Sequence, residues 1–357
     1  IKGMKKTESS LPLNLRQDRR LSPEALVDGI AKGDCNALSQ AITLVESTVA
    51  SHRREVQNIL SRLPARGKSP ARLVAVTGIP GAGKSSFLEV LGNQLCDRGL
   101  RIAVLAVDPS SSLSGGSILG DKTRMETLSR RPECFIRPSP NSGELGGVTR
   151  QARDTIRLCE AAGFEVILIE TVGVGQSEVA VRSLVDCLLL LTVPGTGDEI
   201  QGMKRGIVEL ADVVAVNKAD GENRPSAESA RLSLEGVMEI LSETTPGWRP
   251  PVLAVSALEQ RGVAETWQTV ERFFEHLETT GLWDSRRRQN RLDWFRSHIA
   301  DALHDHFRAD PKLVAEWGRI ETAVASGSLD VTDGMDELIR VLCLPPSPSN
   351  AQSIDTA

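Results

Sequence analysis

Apolar and polar positions divide the chain into three zones. In the middle, short and almost uninterrupted apolar runs recur: RLVAVT, RIAVLAV, EVILIE, CLLLLTV, DVVAVN and PVLAV. Strands buried on both faces read this way. The runs predict strands at 72–77, 101–107, 165–170, 187–193, 212–217 and 252–255, with a short one at 134–137. Helical periodicity follows the first run: Phe87, Leu91 and Leu95 share one side of a segment from Ser86 to Arg98, and Gly99 stops it. The expected fold class is α/β, a mostly parallel central sheet with helices on both faces.

Upstream, the pattern is helical. Ser22 is placed to cap a helix that opens at Pro23 and buries Ala25, Leu26 and Ile30 before Gly33. Asp34 opens a second helix through Leu38, Ile42 and Val45, and a third surrounds Val56, Ile59 and Leu60. These helices fit two roles, packing on the sheet or recognising a partner. Downstream, helices are predicted at 263–277, 285–307, 311–326 and 333–342. Four of the five tryptophans fall between residues 267 and 317. The bland reading is helical core; the sharper one is a dimerisation arm, because one sheet cannot cover so many helices.

The expected division is therefore a flexible N-terminus (1–21), a helical segment (22–66), an α/β domain (70–280), a helical arm (283–342) and a disordered tail (343–357). Ile1-Lys2-Gly3 precede Met4 and read as a tag remnant.

Composition narrows the class. The chain has 357 residues, 40% hydrophobic and 25% charged, with net charge −5, which is ordinary for a globular protein. No basic stripe of nucleic-acid type dominates; Arg286-Arg287-Arg288 reads as a solvated helix face. The six cysteines form no C-x-x-C pair and read as reduced residues of a cytoplasmic protein. The charged start does not look like a signal peptide, and no apolar run approaches the roughly 20 residues that cross a bilayer.

The chemistry begins after the first strand. From Gly78 the chain reads G-x-x-x-x-G-K-S, the P-loop. Gly78, Ile79, Pro80, Gly81, Ala82 and Gly83 form the nucleotide-binding loop whose backbone N–H groups can cradle phosphate oxygens, with Lys84, Ser85 and Ser86 opening the helix whose positive end faces the same anion. Lys84 places a charge at the β- and γ-phosphates, and Ser85 offers a hydroxyl to Mg²⁺. Glu170 ends another strand, where an acid is the usual second handle on the metal, and Gly173 can bring an N–H to the γ-phosphate. Asp108 and Asp121 flank a Gly/Ser loop and can reach the metal region, so the candidate metal set is Ser85, Asp108, Asp121 and Glu170.

A second motif reads the base. Asn217-Lys218-Ala219-Asp220 is N-K-x-D at the end of DVVAV. The Asp220 carboxylate can accept from guanine N1–H and its exocyclic amine, donors that adenine lacks in that arrangement. Lys218 would lie along the base and Asn217 would brace the loop. Ser256-Ala257-Leu258 follows the next strand and can offer N–H groups to the guanine carbonyl. The expected ligands are GTP, GDP and Mg²⁺. The Gly-rich charged segment around Asp198 and Lys204 is a candidate nucleotide sensor or partner contact.

These residues together resemble one family. GIPGAGKSS, VDPSSSLSGGSILGDKTRM, IETVGVGQSE, VPGTGDEIQGMKRG and NKAD are similar to the MeaB/ArgK family, the methylmalonyl-CoA mutase-associated GTPases of the G3E group in the SIMIBI class of P-loop NTPases. The resemblance runs from about residue 22 to 340. It implies a homodimeric GTPase held by C-terminal helices, acting as chaperone of an adenosylcobalamin-dependent acyl-CoA mutase. By similarity Lys84, Asp108, Glu170 and Lys204 serve the reaction, and the segment carrying Asp198 and Lys204 communicates with the mutase. Rival readings are a nickel- or cobalt-insertion GTPase, which usually carries Cys or His near the nucleotide, and a kinase of an amino-acid transport system.

Overall fold

A computed structural model describes residues 21–47, 49–64, 70–107, 125–138, 145–171, 181–195 and 205–343. They fall into two compact units, one ending at Arg287 and the other beginning at Arg288.

The first unit is built on a seven-stranded sheet: β1 (Arg72–Thr77), β2 (Ile102–Val107), β3 (Cys134–Arg137), β4 (Val166–Thr171), β5 (Cys187–Thr192), β6 (Val213–Val216) and β7 (Val252–Ala254). Their spatial order is β3-β2-β4-β1-β5-β6-β7, and every neighbouring pair is parallel. Each apolar run of the sequence became a strand, its ends within one residue of the reading.

Alternate residues of one strand face different helices. Leu73 and Ala75 of β1 join Ile167, Ile169 and Leu188 in a core closed by α1 (Pro23–Ala31), α2 (Cys35–Val45), α3 (Ala50–Arg62) and α5 (Leu145–Ala161). Val74 and Val76 face the other way, against Phe87, Leu91 and Leu95 of α4 (Lys84–Asp97) and Trp267, Phe273 and Phe274 of α8 (Val263–Thr279). Further along, α6 (Arg205–Leu210) and α7 (Arg224–Ile240) cover Leu190, Val214 and Val216. Both faces are thus apolar, which is why the strands carry no polar alternation.

The N-terminal helices belong to this core. Ser22 Oγ accepts from Ala25 N and Pro23 opens α1, as the sequence suggested. Leu26, Ile30, Leu38 and Ile42 are almost wholly buried. Arg101 ties the layers together: it donates to the Ala162 carbonyl at 2.7 Å and the Gly33 carbonyl at 3.3 Å, and lies over Phe164.

The basic run at 286–288 corrects a sequence expectation. Arg288 is exposed, but Arg287 is buried and Arg286 half-buried, at the start of α9 (Leu282–Ala309). Arg287 Nε donates to Asp186 Oδ1 at 2.8 Å, its fork also meets Asp186 Oδ2, and it caps the Ala71 carbonyl at 2.5 Å. Arg286 donates to Thr245 Oγ1 and to the Asp186 carbonyl, 3.5 Å from Asp212 Oδ1. Asp186 and Asp212 precede β5 and β6, and each also accepts a backbone N–H, from Leu73 and Leu188. Periodicity cannot show this, because a helical arginine meets a carboxylate brought close only by the sheet.

The second unit holds the rest of α9 with α10 (Pro311–Ala325) and α11 (Val331–Cys343). Gly334 lets α11 approach α10: a β-carbon there would lie 3.0 Å from Val324 Cγ2. No helix of the described residues is long and apolar enough to cross a membrane.

Candidate functional site

Chemistry gathers at the carboxyl ends of β1, β4, β6 and β7. Residues 78–83 turn from β1 into α4, which begins at Lys84, so Lys84 and Ser85 sit in its first turn with their N–H groups facing the loop. Two loop glycines have a steric reason. A β-carbon on Gly78 would lie 1.9 Å from the Leu191 carbonyl oxygen of β5, and one on Gly83 would lie 2.6 Å from Asn217 Nδ2. Gly83 also has φ +84°, a left-handed value.

The buried Lys84 ammonium donates to the Gly78 carbonyl at 2.9 Å and the Ile79 carbonyl at 3.1 Å. A phosphate oxygen makes a stronger, charge-assisted bond than a carbonyl, so these partners are exchangeable for a ligand's. Ser85 Oγ donates to Glu170 Oε1 at 2.7 Å. The register explains the meeting: Glu170 lies opposite Val76, near the end of β1. Just beside them Thr171 Oγ1 donates to Thr77 Oγ1 at 2.8 Å, both buried, joining β4 to β1 below the loop.

The second motif is wired to the first. Asn217 is buried; its Nδ2 donates to the Ala82 carbonyl at 2.8 Å and its Oδ1 accepts from Ala257 N at 3.1 Å. One side chain therefore spans the phosphate loop, the N-K-x-D turn and the Ser-Ala-Leu segment. Lys218 is exposed at φ 60°. Asp220 Oδ2 accepts from Ser256 Oγ at 2.8 Å, while Glu259 N donates to the same hydroxyl at 3.0 Å. Leu258 stands 83% exposed at this rim.

The structure thus brings together the phosphate residues Gly78 to Ser86, Glu170, Asn217, Lys218, Asp220 and Ser256 to Leu258. Asp108, Asp121, Gly173, Asp198 and Lys204 lie outside the described residues. Sequence reading missed Thr77 and Thr171, although each is a hydroxyl residue ending an apolar run. It also missed Arg261, whose guanidinium donates to the Ala219 carbonyl; nothing in the local pattern marks it.

Residues 38–312 match the family model described as "Methylmalonyl Co-A mutase-associated GTPase MeaB". The chain belongs to the MeaB family. Among its relatives, a probable GTPase of Mycobacterium tuberculosis (strain H37Rv) is 50% identical over 320 residues, covering 88% of this chain and 95% of that one. The mitochondrial methylmalonic aciduria type A homolog of Mus musculus is 42% identical over 326 residues, covering 89% and 79%. A crystal structure of a protein described as an LAO/AO transport system kinase superposes with a TM-score of 0.71 at 34% identity, covering 90% of this chain and 97% of that one. The MeaB-family chain is a P-loop GTPase: it binds guanine nucleotide and hydrolyses GTP to GDP and phosphate.

Proposed function

We propose that this GTPase is a cytoplasmic chaperone of an adenosylcobalamin-dependent acyl-CoA mutase, methylmalonyl-CoA mutase first of all, and that its nucleotide state gates cofactor loading and reactivation. The observation that carries the reading is the match of residues 38–312 to a mutase-associated GTPase family. In this reading Mg²⁺ is held by Ser85 and Glu170. A hydroxyl and a carboxylate 2.7 Å apart are the hard oxygen donors that ion prefers. Bound there, the metal would neutralise charge on the β- and γ-phosphates. Lys84 would hold those phosphates, and Asp220 with the N–H groups near Ala257 would hold the base. Asp108, Asp121, Gly173 and Lys204 are proposed to complete the metal site and the partner-sensing loops.

The proposed assembly is a homodimer. Leu292, Phe295 and Ile299 are exposed along one side of α9, and a second copy would cover them. Light scattering should give a dimer, and Phe295→Asp a monomer. The mutase reading is tested by GTP hydrolysis with and without candidate acyl-CoA mutases, alongside cobalamin transfer followed by absorbance. Acceleration is expected; no change in either rate with any mutase would defeat it.

A second reading, transfer of the γ-phosphate to a protein, is favoured by the likeness to a structure described as a transport-system kinase. Label from γ-labelled GTP appearing on protein, rather than as free phosphate, would establish it. The nickel- or cobalt-insertion reading has no supporting cluster of His, Cys, Asp or Glu among the described residues.

A further inference from the structure

The base-reading turn is closed into a ring by a residue outside both nucleotide motifs. Asp220 Oδ2 accepts from Ser256 Oγ. Ser256 and Arg261 exchange two backbone bonds, Ser256 N to Arg261 O at 2.9 Å and Arg261 N to Ser256 O at 3.0 Å. The Arg261 guanidinium then reaches back to the carbonyl of Ala219, the residue preceding Asp220. The guanidinium is itself oriented: Glu259 lies 3.6 Å from its Nε and also holds Arg224 at 2.8 Å, in the first turn of α7.

We propose that Arg261 is a positioning residue for base selection, fixing the aim of Asp220 by holding the Ala219 carbonyl. The inference rests on the guanine reading of Asp220. The Ala219 carbonyl and the Asp220 N–H share one rigid planar peptide unit. Holding the carbonyl therefore fixes the plane from which the Asp220 side chain springs. Ser256 alone fixes one carboxylate oxygen and leaves that plane free to tilt. The turn also needs holding, because Lys218 sits at φ 60°, unfavourable for a residue with a β-carbon. Its neighbour Ala219 is held on both sides, by its own N–H to the Val255 carbonyl at 3.0 Å and by Arg261 on its carbonyl. A paired contact to guanine N1–H and its amine tolerates little misalignment, so tilt costs the two-bond ligand most.

The test uses the full chain with Arg261→Ala and Arg261→Lys, and displacement of a fluorescent guanine nucleotide by GDP, IDP and ADP. Inosine lacks the exocyclic amine and makes one of the two bonds to Asp220. In Arg261→Ala, GDP affinity should fall about tenfold and IDP affinity about threefold, so the GDP/IDP ratio shrinks about threefold. ADP affinity should not move, and Arg261→Lys should recover at least half of the lost ratio. An unchanged GDP/IDP ratio overturns the proposal, and so does an equal loss for all three nucleotides, which would mean general loosening. Wild-type protein that binds ADP as tightly as GDP would instead overturn the guanine reading beneath it. Arg261 is half exposed, so the truncation should fold; if its circular dichroism shows otherwise, Arg261→Gln carries the same comparison with the same outcomes.

Discussion

The two ends of the sheet both bury charge, and they bury it differently. At the amino end Asp186 meets Arg287, at the root of α9, and the Leu73 N–H. At the carboxyl end Lys84 rests on two loop carbonyls, and Ser85 rests on Glu170. The first set is centred on an opposite-charge pair, Asp186 with Arg287, and removing either partner strands an ion in the interior. The second consists of charged groups leaning on weaker partners that phosphate or a metal can replace. A buried charge alone does not mark a site; a buried charge with a replaceable partner does.

The comparison breaks most sharply on Lys84→Ala. The Gly78 and Ile79 carbonyls it holds can be served by water, so the fold should persist by circular dichroism. GTP hydrolysis should fall by about a hundredfold or more, since a preorganised charge at the phosphates is lost. Phosphate release close to wild type would remove Lys84 from the chemistry.

Asp186→Ala should do the reverse. It leaves Arg287 buried without its carboxylate and should cost about 3–5 kcal/mol in urea unfolding. Nucleotide affinity of the protein that remains folded should hold, because Asp186 lies at the far end of β5 from the loop. A loss below about 1 kcal/mol would show that the remaining partners of Arg287, the Ala71 carbonyl at 2.5 Å and Glu160 at 3.5 Å, suffice to hold it.

Asp154 offers an intermediate case. It is buried on α5, and burial pushes its carboxyl up to about 6, against the pull of Arg150, Arg157 and Arg153. In the unfolded chain it titrates near the ordinary value of about 3.9. The folded state therefore favours the neutral acid, and its contribution is full below about pH 4 and erodes as pH rises to about 6. Asp154→Asn should flatten that part of the stability profile by on the order of 2–3 kcal/mol. An unchanged slope between pH 4 and 7 would show that Asp154 does not titrate there.

How much of this was legible in the sequence follows from the range of each interaction. The strands were legible because burial on both faces writes a continuous apolar run, as in CLLLLTV. The phosphate loop and the N-K-x-D turn were legible because each packs its chemistry into a few consecutive residues. Asn217 was expected to brace its loop, but neither of its partners was legible: Ala82 lies in the phosphate loop, and Ala257 depends on β7 lying beside β6. Arg287 and Arg261 were not legible. Each acts on a residue that only the sheet order brings near, and an arginine in a helix or loop reads first as solvated. The N-terminal helices showed their apolar sides but not what those sides face; α5 and the sheet supply that.

The smallest effect belongs to a surface pair whose distances resemble those of the buried one. In the second unit Arg319 bonds Glu316 at 2.8 Å and Glu337 at 2.6 Å, joining α10 to α11. The distances rival those around Arg287, but the Arg319 side chain is 52% exposed, so water screens both charges and serves either when the other is removed. Holding three long side chains in one geometry also costs conformational freedom. Arg319→Ala should therefore leave the urea-unfolding midpoint almost unmoved, and move it still less at high salt. Set beside Asp186→Ala, the variant separates geometry from environment. If it cost as much as the buried variant, short distance rather than exclusion of water would set the strength of these pairs, and the distinction between the two ends of the sheet would lose its physical basis.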